Sequence, residues 1–528
     1  MPASPPTSAT PAIRPVAASS TRDSRSSWNP RPTSPVCVFR PTTLRVWHVT
    51  PTEPRALFVI LHVLSPGAAR VRRVTERWSR DQVLALAPDA ASQKAAGGVS
   101  APRKWSAMGV SGPALWGECA GSGSKPYQAC VDLSEPAYRC SCPSRKFPCK
   151  HALGLLLLWS ADGVPPAAEP APWAAEWFDQ RAARAEKAAE KKAAEKKAAE
   201  KKAAEKKAAE KKAEPSAAKP DEGRARQREE RVTAGLAELE RWLSDQVASG
   251  LSDARQTGLA EWSDLAKRLV DAQAPGLAGT FSGLTRVFRD ENWPGRLLGE
   301  YAMVHLLAVA HRRAAELPGD LRDTVRQRVG YQVPKETVLA LPPIRDEWQV
   351  IALRDEERDR LLSRRVWLHG RATGRVALVL SFAPPGQPLD ASLVLGTRVD
   401  ADVSYYPGAA PLRALIADRY GAAVPARAPA SGVTVEGVPQ LIADVLTRDP
   451  WTDSWPLVIT GARVGRDGKE WCLLGDSGQG LRLHPSAGDP WKLIAVSGGH
   501  LVTVAVEWTP DGLRPLTTWD DNDEVVVL

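Results

Sequence analysis

At 528 residues, with 43% hydrophobic and 25% charged side chains, the chain has ordinary soluble composition and room for two or three domains of ~150 residues. Its net charge of +9 permits an anionic partner without demanding one, because much of the surplus lies in the N-terminal tail and one Lys-rich run. No stretch approaches the ~18 consecutive apolar residues of a membrane span, and no export signal is evident, so the expectation is a cytoplasmic protein without a membrane partner.

Residues 1–73 are rich in Pro, Ser, Thr, Arg and Ala, lack periodicity, and are expected to be a disordered tail. The character changes at Val74, where VTERWSRDQVLALAPDAASQKAA reads as a domain entrance. Val74 is therefore a candidate for the true translation start, misassigned upstream.

Residues 74–178 read as a compact module, with its core at 127–160. Residues 179–221 read as a charged helical linker, in which AAEKK repeats five times from Ala188 to Lys212. A five-residue period turns ~140° per repeat at ~100° per residue, so no face stays apolar. The run is expected to be a solvated helix of about 40 Å, ended by Pro215, and a spacer rather than a nucleic-acid arm.

Residues 222–335 carry a helical pattern. Val232, Leu236, Leu239, Leu243 and Val247 mark one face, and Leu297 to Ala310 is apolar enough for a central core helix. His305 and His311, six apart, fall on different faces and read as core or surface histidines.

Residues 336–528 read as an α+β domain. Two strands are expected in Val366–Phe382 and another in Ser392–Val403, then helices in Pro411–Tyr420 and Val438–Thr447. The end offers the short β segments WPLVIT, WCLLGD, LIAVSG and LVTVAVEW, a small antiparallel sheet or barrel. The fold class is thus α+β, multidomain.

The 7 cysteines are Cys37, Cys119, Cys130, Cys140, Cys142, Cys149 and Cys472. An odd count, with five inside 119–149, argues for metal binding rather than a disulfide framework. In Tyr127–Trp159, Tyr127, Ala129, Val131 and Leu133 alternate as a half-buried strand should, Ser134-Glu135-Pro136 turns the chain, and a returning strand delivers Cys140 and Cys142 on one face. Pro143 to Pro148 then folds the chain back, so that Cys149 and His151 approach from a helix start, where free N–H groups favour thiolates.

Three thiolates and an imidazole suit one tetrahedral zinc ion, and four protein ligands leave no open position, as in a structural site. With Zn²⁺ the set carries −1, and Arg145, Lys146 and Lys150 supply compensating charge. Cys119 and Cys130 read as small buried residues beside it.

The pattern C-x-C-x6-C-x-H, after a β-hairpin and before an apolar helix, resembles the SWIM zinc finger, and Cys140, Cys142, Cys149 and His151 match its four ligand positions. Trp116-Gly117-Glu118-Cys119 and Gly121-Ser122-Gly123, leading into Pro126-Tyr127, further resemble stand-alone bacterial SWIM proteins. The resemblance implies a module for DNA or protein binding, found also beside helicase-like ATPases, and assigns no activity to the rest of the chain.

Gly121 to Lys125 and Gly468-Lys469 lack P-loop spacing and read as hairpin turns. Asp520, Asp521, Asp523 and Glu524 read as a solvated chain end. No G-x-S-x-G or HExxH occurs.

The expectation is an interaction protein, not an enzyme, whose finger docks a partner as part of a larger complex. Arg145, Lys146, Lys150 and an exposed Phe147 would do the docking, with a protein partner favoured over DNA. The rival reading is an enzyme with its site in the C-terminal region. N-terminal sequencing of protein made from the native gene checks the start: peptides upstream of Val74 would refute it.

Overall fold

The computed structural model describes residues 77–184, 186, 187, 190 and 220–528, except 122, 124, 135, 145, 359, 360, 385, 386, 388 and 427–429. The expected tail, the Val74 start and most of the AAEKK run lie outside the described residues. Among the described residues no helix is long and apolar enough to cross a membrane.

The N-terminal module opens with α1 (Arg80–Ala85) and α2 (Ala90–Val99), capped by Ser79 and Asp89. An antiparallel meander follows: β1 (Trp105–Ser111), β2 (Ala114–Cys119), β3 (Tyr127–Asp132) and β4 (Ala137–Cys140). It packs against α3 (Lys150–Ser160), in which every residue from His151 to Trp159 is buried. A helix apolar all round belongs inside a core. Trp78 meets Trp159 edge to face at 5.7 Å in this core.

The helical domain comprises α4 (Pro220–Ser249), α5 (Ala254–Asp271), α6 (Pro275–Ser282), α7 (Trp293–Arg312) and α8 (Gly319–Val329). Val232, Leu236, Leu239 and Leu243 are buried as the periodicity required, whereas Val247 is 53% exposed at the end of its helix. Leu297, Tyr301, Val304, Leu307 and Ala308 bury the inner face of α7, and Trp262 Nε1 donates to Tyr301 Oη at 2.9 Å. His311 is buried and stacked on Tyr331, while His305 is exposed.

After α9 (Lys335–Leu339) come β5 (Ile344–Arg358), β6 (Leu361–Gly370), β7 (Val376–Ala383), β8 (Thr397–Tyr405), β9 (Arg413–Arg419) and the short β10 (Val424–Pro425). The order β8-β5-β6-β7-β9 closes on itself, because β9 pairs with β8 as well as with β7. Only β7–β9 is parallel within this five-stranded Greek-key barrel. Trp348, Val350, Leu368, Ala377, Val399 and Ala401 fill its core.

The last region holds α10 (Val438–Arg448), β11 (Trp455–Asp467), β12 (Glu470–Leu474), β13 (Gly480–Arg482), α11 (Trp491–Ser497), β14 (Val502–Thr509), β15 (Gly512–Trp519) and β16 (Val525–Val527). Its six strands run β13-β12-β11-β14-β15-β16, and a bridge from Leu483 to Leu513 curls the sheet toward a barrel.

Two expected elements are corrected. The Pro411–Tyr420 segment is strand β9, not a helix: RALIADR has good helix formers, but pairing with both β7 and β8 overrides their weak local preference. LIAVSG belongs to helix α11, not a strand; Pro490 precedes the helix and Gly498 ends it in the left-handed conformation at φ 56°.

The parts are joined by specific contacts. Gln82 Nε2 donates to Gly396 O at 2.9 Å, and Val394 sits in the core of the N-terminal module. Gly396 has φ +70°, and a Cβ there would meet Val525, so glycine suits this junction of α1, barrel and β16. Trp451 Nε1 donates to Met303 O at 3.0 Å, tying the helical domain to the C-terminal sheet.

Candidate metal centre

The four expected ligands come from three places in the module. Cys140 ends β4 and Cys142 follows in the connecting loop. Cys149 is the N-cap of α3, and His151 lies in its first turn. Their ligand atoms all lie within 4.8 Å of one another. Cys140 Sγ is 3.7 Å from His151 Nδ1. A tetrahedron with metal–sulfur bonds of ~2.3 Å and a metal–nitrogen bond of ~2.0 Å has edges of about 3.5–3.8 Å. The cluster therefore fits one structural zinc ion.

The meander places this cluster. Cys140 pairs with Ala129 across β3–β4, and Tyr127, two residues before Ala129, stacks on the His151 ring at 4.7 Å. That contact and burial to 4% exposure fix the imidazole with Nδ1 toward the sulfurs. Cys149 is also buried, while Cys140 and Cys142 are half-buried. Among the described residues this is the one group of three or more His, Cys, Asp or Glu side chains placed to share a metal ion.

Electrostatics agree with the geometry. The Cys149 thiol is held down to about 4 by contact with Cys140, then by His151 and by the N–H of Ala152 in the first turn of α3. Cys140 is pushed far up, chiefly by sharing with Cys149 and by burial, and Cys142 is pushed up by burial. Three clustered thiols without a cation thus confine their charge to one sulfur. Backbone N–H groups of Cys142 and Ser144 lie toward Cys140 and Cys142 and favour their ionised forms. Zinc bound here would supply the dication that lets all three ionise.

Of the residues expected around the site, Lys146 pairs with Asp89 at 2.6 Å, which lowers the Asp89 carboxyl to about 2. Phe147 is half-buried rather than exposed, Lys150 is exposed, and Arg145 lies outside the described residues. Cys119 and Cys130 are fully buried in the module's cores, and burial raises both thiols, as inert packing residues require. Reading from sequence missed the Asp89–Lys146 pair and the Tyr127 stack, since neither partner is near the other in the chain.

Residues 130–159 match the SWIM zinc finger, and residues 227–329 match the SWIM-associated four-helix bundle domain. No curated protein and no solved structure matches the chain.

Zinc must displace protons from Cys140 and Cys142, whose thiols are raised, whereas Cys149 is already ionised at neutral pH. Zinc affinity is therefore expected to fall by at least about a hundredfold per unit as pH drops below 7, tenfold for each displaced thiol proton. Competition with a chromophoric chelator between pH 7.5 and 5.5 measures this. An affinity independent of pH would show that these thiols do not ligate the metal.

Proposed function

Starting from a chain that carries a SWIM zinc finger and its associated four-helix bundle, we propose a non-catalytic cytoplasmic interaction protein, shaped by zinc, whose finger docks a protein partner in a larger complex. The observation that carries this reading is how few free cations adjoin the finger's ligands. Lys146 is spent on Asp89, Arg181 on Asp132 at 2.7 Å, and Arg77 on Asp162. Arg80, Lys94, Arg103, Lys104, Lys125, Arg139 and Lys150 remain exposed, but only Arg139 and Lys150 adjoin a zinc ligand in the chain, fewer than the six to ten phosphate contacts that make duplex binding steeply salt-dependent. Four protein ligands leave the metal no open position for a substrate, which supports an architectural role. The unpaired cysteines fit a reducing compartment.

DNA binding through the exposed cations is the alternative. Anisotropy of labelled duplex DNA between 50 and 200 mM salt discriminates the two. The protein-docking reading predicts weak binding with a log–log slope no steeper than about −3. It also predicts that a tagged full-length chain recovers a partner at fixed stoichiometry, lost in Cys149→Ala. Tight duplex binding that weakens by about a thousandfold or more over that range would establish the DNA reading instead.

A further inference from the structure

A cleft of about 450 Å³ separates the five-stranded barrel from the C-terminal sheet, within the ~300–1,000 Å³ range of small-molecule sites. Part of its wall is apolar: Val376 from β7, Leu441 and Val445 from α10, and Trp455 and Leu457 from β11. His369, near the end of β6, also lines it. This histidine is 7% exposed. An imidazole at the wall of a cleft presents ring nitrogens that can meet a ligand's polar group.

Burial lowers the proton affinity of His369, so at neutral pH the ring is uncharged, with one donor and one acceptor nitrogen. Two cations line the same cleft. Arg375 leans over the Tyr405 ring at 4.6 Å, and Arg448 is tethered through Nε to the main-chain oxygen of Asp444 at 3.2 Å. The Asp444 carboxylate, which lines the cleft as well, accepts from Gln440 Nε2 at 2.8 Å.

The wall bearing Arg375 is built in advance. The Asp346 carboxylate takes the N–H groups of Ala372 and Thr373 at 3.0 and 2.8 Å and the Thr373 hydroxyl at 2.6 Å, fixing the β6–β7 turn. Tyr405 Oη donates to Val376 O at 2.9 Å at the start of β7.

We propose that this cleft binds a small organic anion, its apolar body against Leu441, Val445 and Trp455, its carboxylate between Arg375 and Arg448, and a polar group at His369. An apolar pocket with a few placed polar groups recognises such a molecule: the walls supply burial, and the guanidiniums fix the charged end. This site lies apart from the zinc module and stands whether the finger docks protein or DNA.

The test uses the full-length zinc-loaded chain labelled with ¹³C at the histidine ring, with the His369 signal among the 8 histidines assigned by its loss in His369→Gln. The probe is 4-phenylbutyrate, and 4-phenylbutanol is the neutral control. A saturable shift of the His369 signal is expected. Arg375→Ala or Arg448→Ala should each weaken it about tenfold, and the alcohol should bind more weakly than the acid by at least that factor. Both arginines are exposed, so zinc content and circular dichroism should match the parent. Absence of a saturable shift, or equal binding of acid and alcohol, would overturn the assignment.

Discussion

Three sulfurs and an imidazole nitrogen gathered within 4.8 Å, where strand β4 hands the chain to helix α3, form an arrangement whose sulfurs can all ionise only when a cation sits among them. Much of the N-terminal module is arranged around that point. The meander presents Cys140 at its edge strand, the turn through Pro143–Pro148 brings the chain back, and α3 enters the core with its ligands at the first turn. A small module with so short a sheet gains from a metal what a larger core would otherwise provide. Its apolar remainder is then free to pack outward, through Trp78 and Trp159, to Val394 of the barrel.

The rest of the molecule is joined by a few buried polar contacts as well as by apolar packing. Glu507 is 1% exposed, yet its carboxylate receives Arg354 from the barrel at 2.5 Å and Arg514 from β15 at 3.0 Å. A buried carboxylate held this way adds little net stability, but losing one partner leaves an uncompensated charge, which ties the barrel to one register against the sheet. The same junction opens beside His369 into the cleft between the two β units.

Sequence reading reached the ligand set because a tetrahedral site imposes a short local code: two cysteines two apart, a return, and a cysteine and histidine two apart. The α3 helix and the central α7 helix were legible for a similar reason, as their apolar character is continuous in the chain. Barrel closure was not. The parallel pairing of Leu378 and Val379 with Arg413 and Ala414 joins residues about 35 apart, and no local preference in RALIADR announces a strand. Helix α11 did carry its signals, Pro490 and Gly498, but a run of β-branched and apolar residues outweighed them. The cleft was illegible altogether, because its walls come from β6, β7, α10 and β11, and His369 acquires meaning only from the neighbours that the fold brings to it.

The central claim is that Cys140, Cys142, Cys149 and His151 hold one structural zinc ion. Native mass spectrometry of the freshly reduced full-length chain, beside Cys149→Ala, tests it most directly. One zinc per chain in the parent and none in the variant, with a lower melting temperature, is the predicted result. A parent that folds and carries no zinc would contradict it.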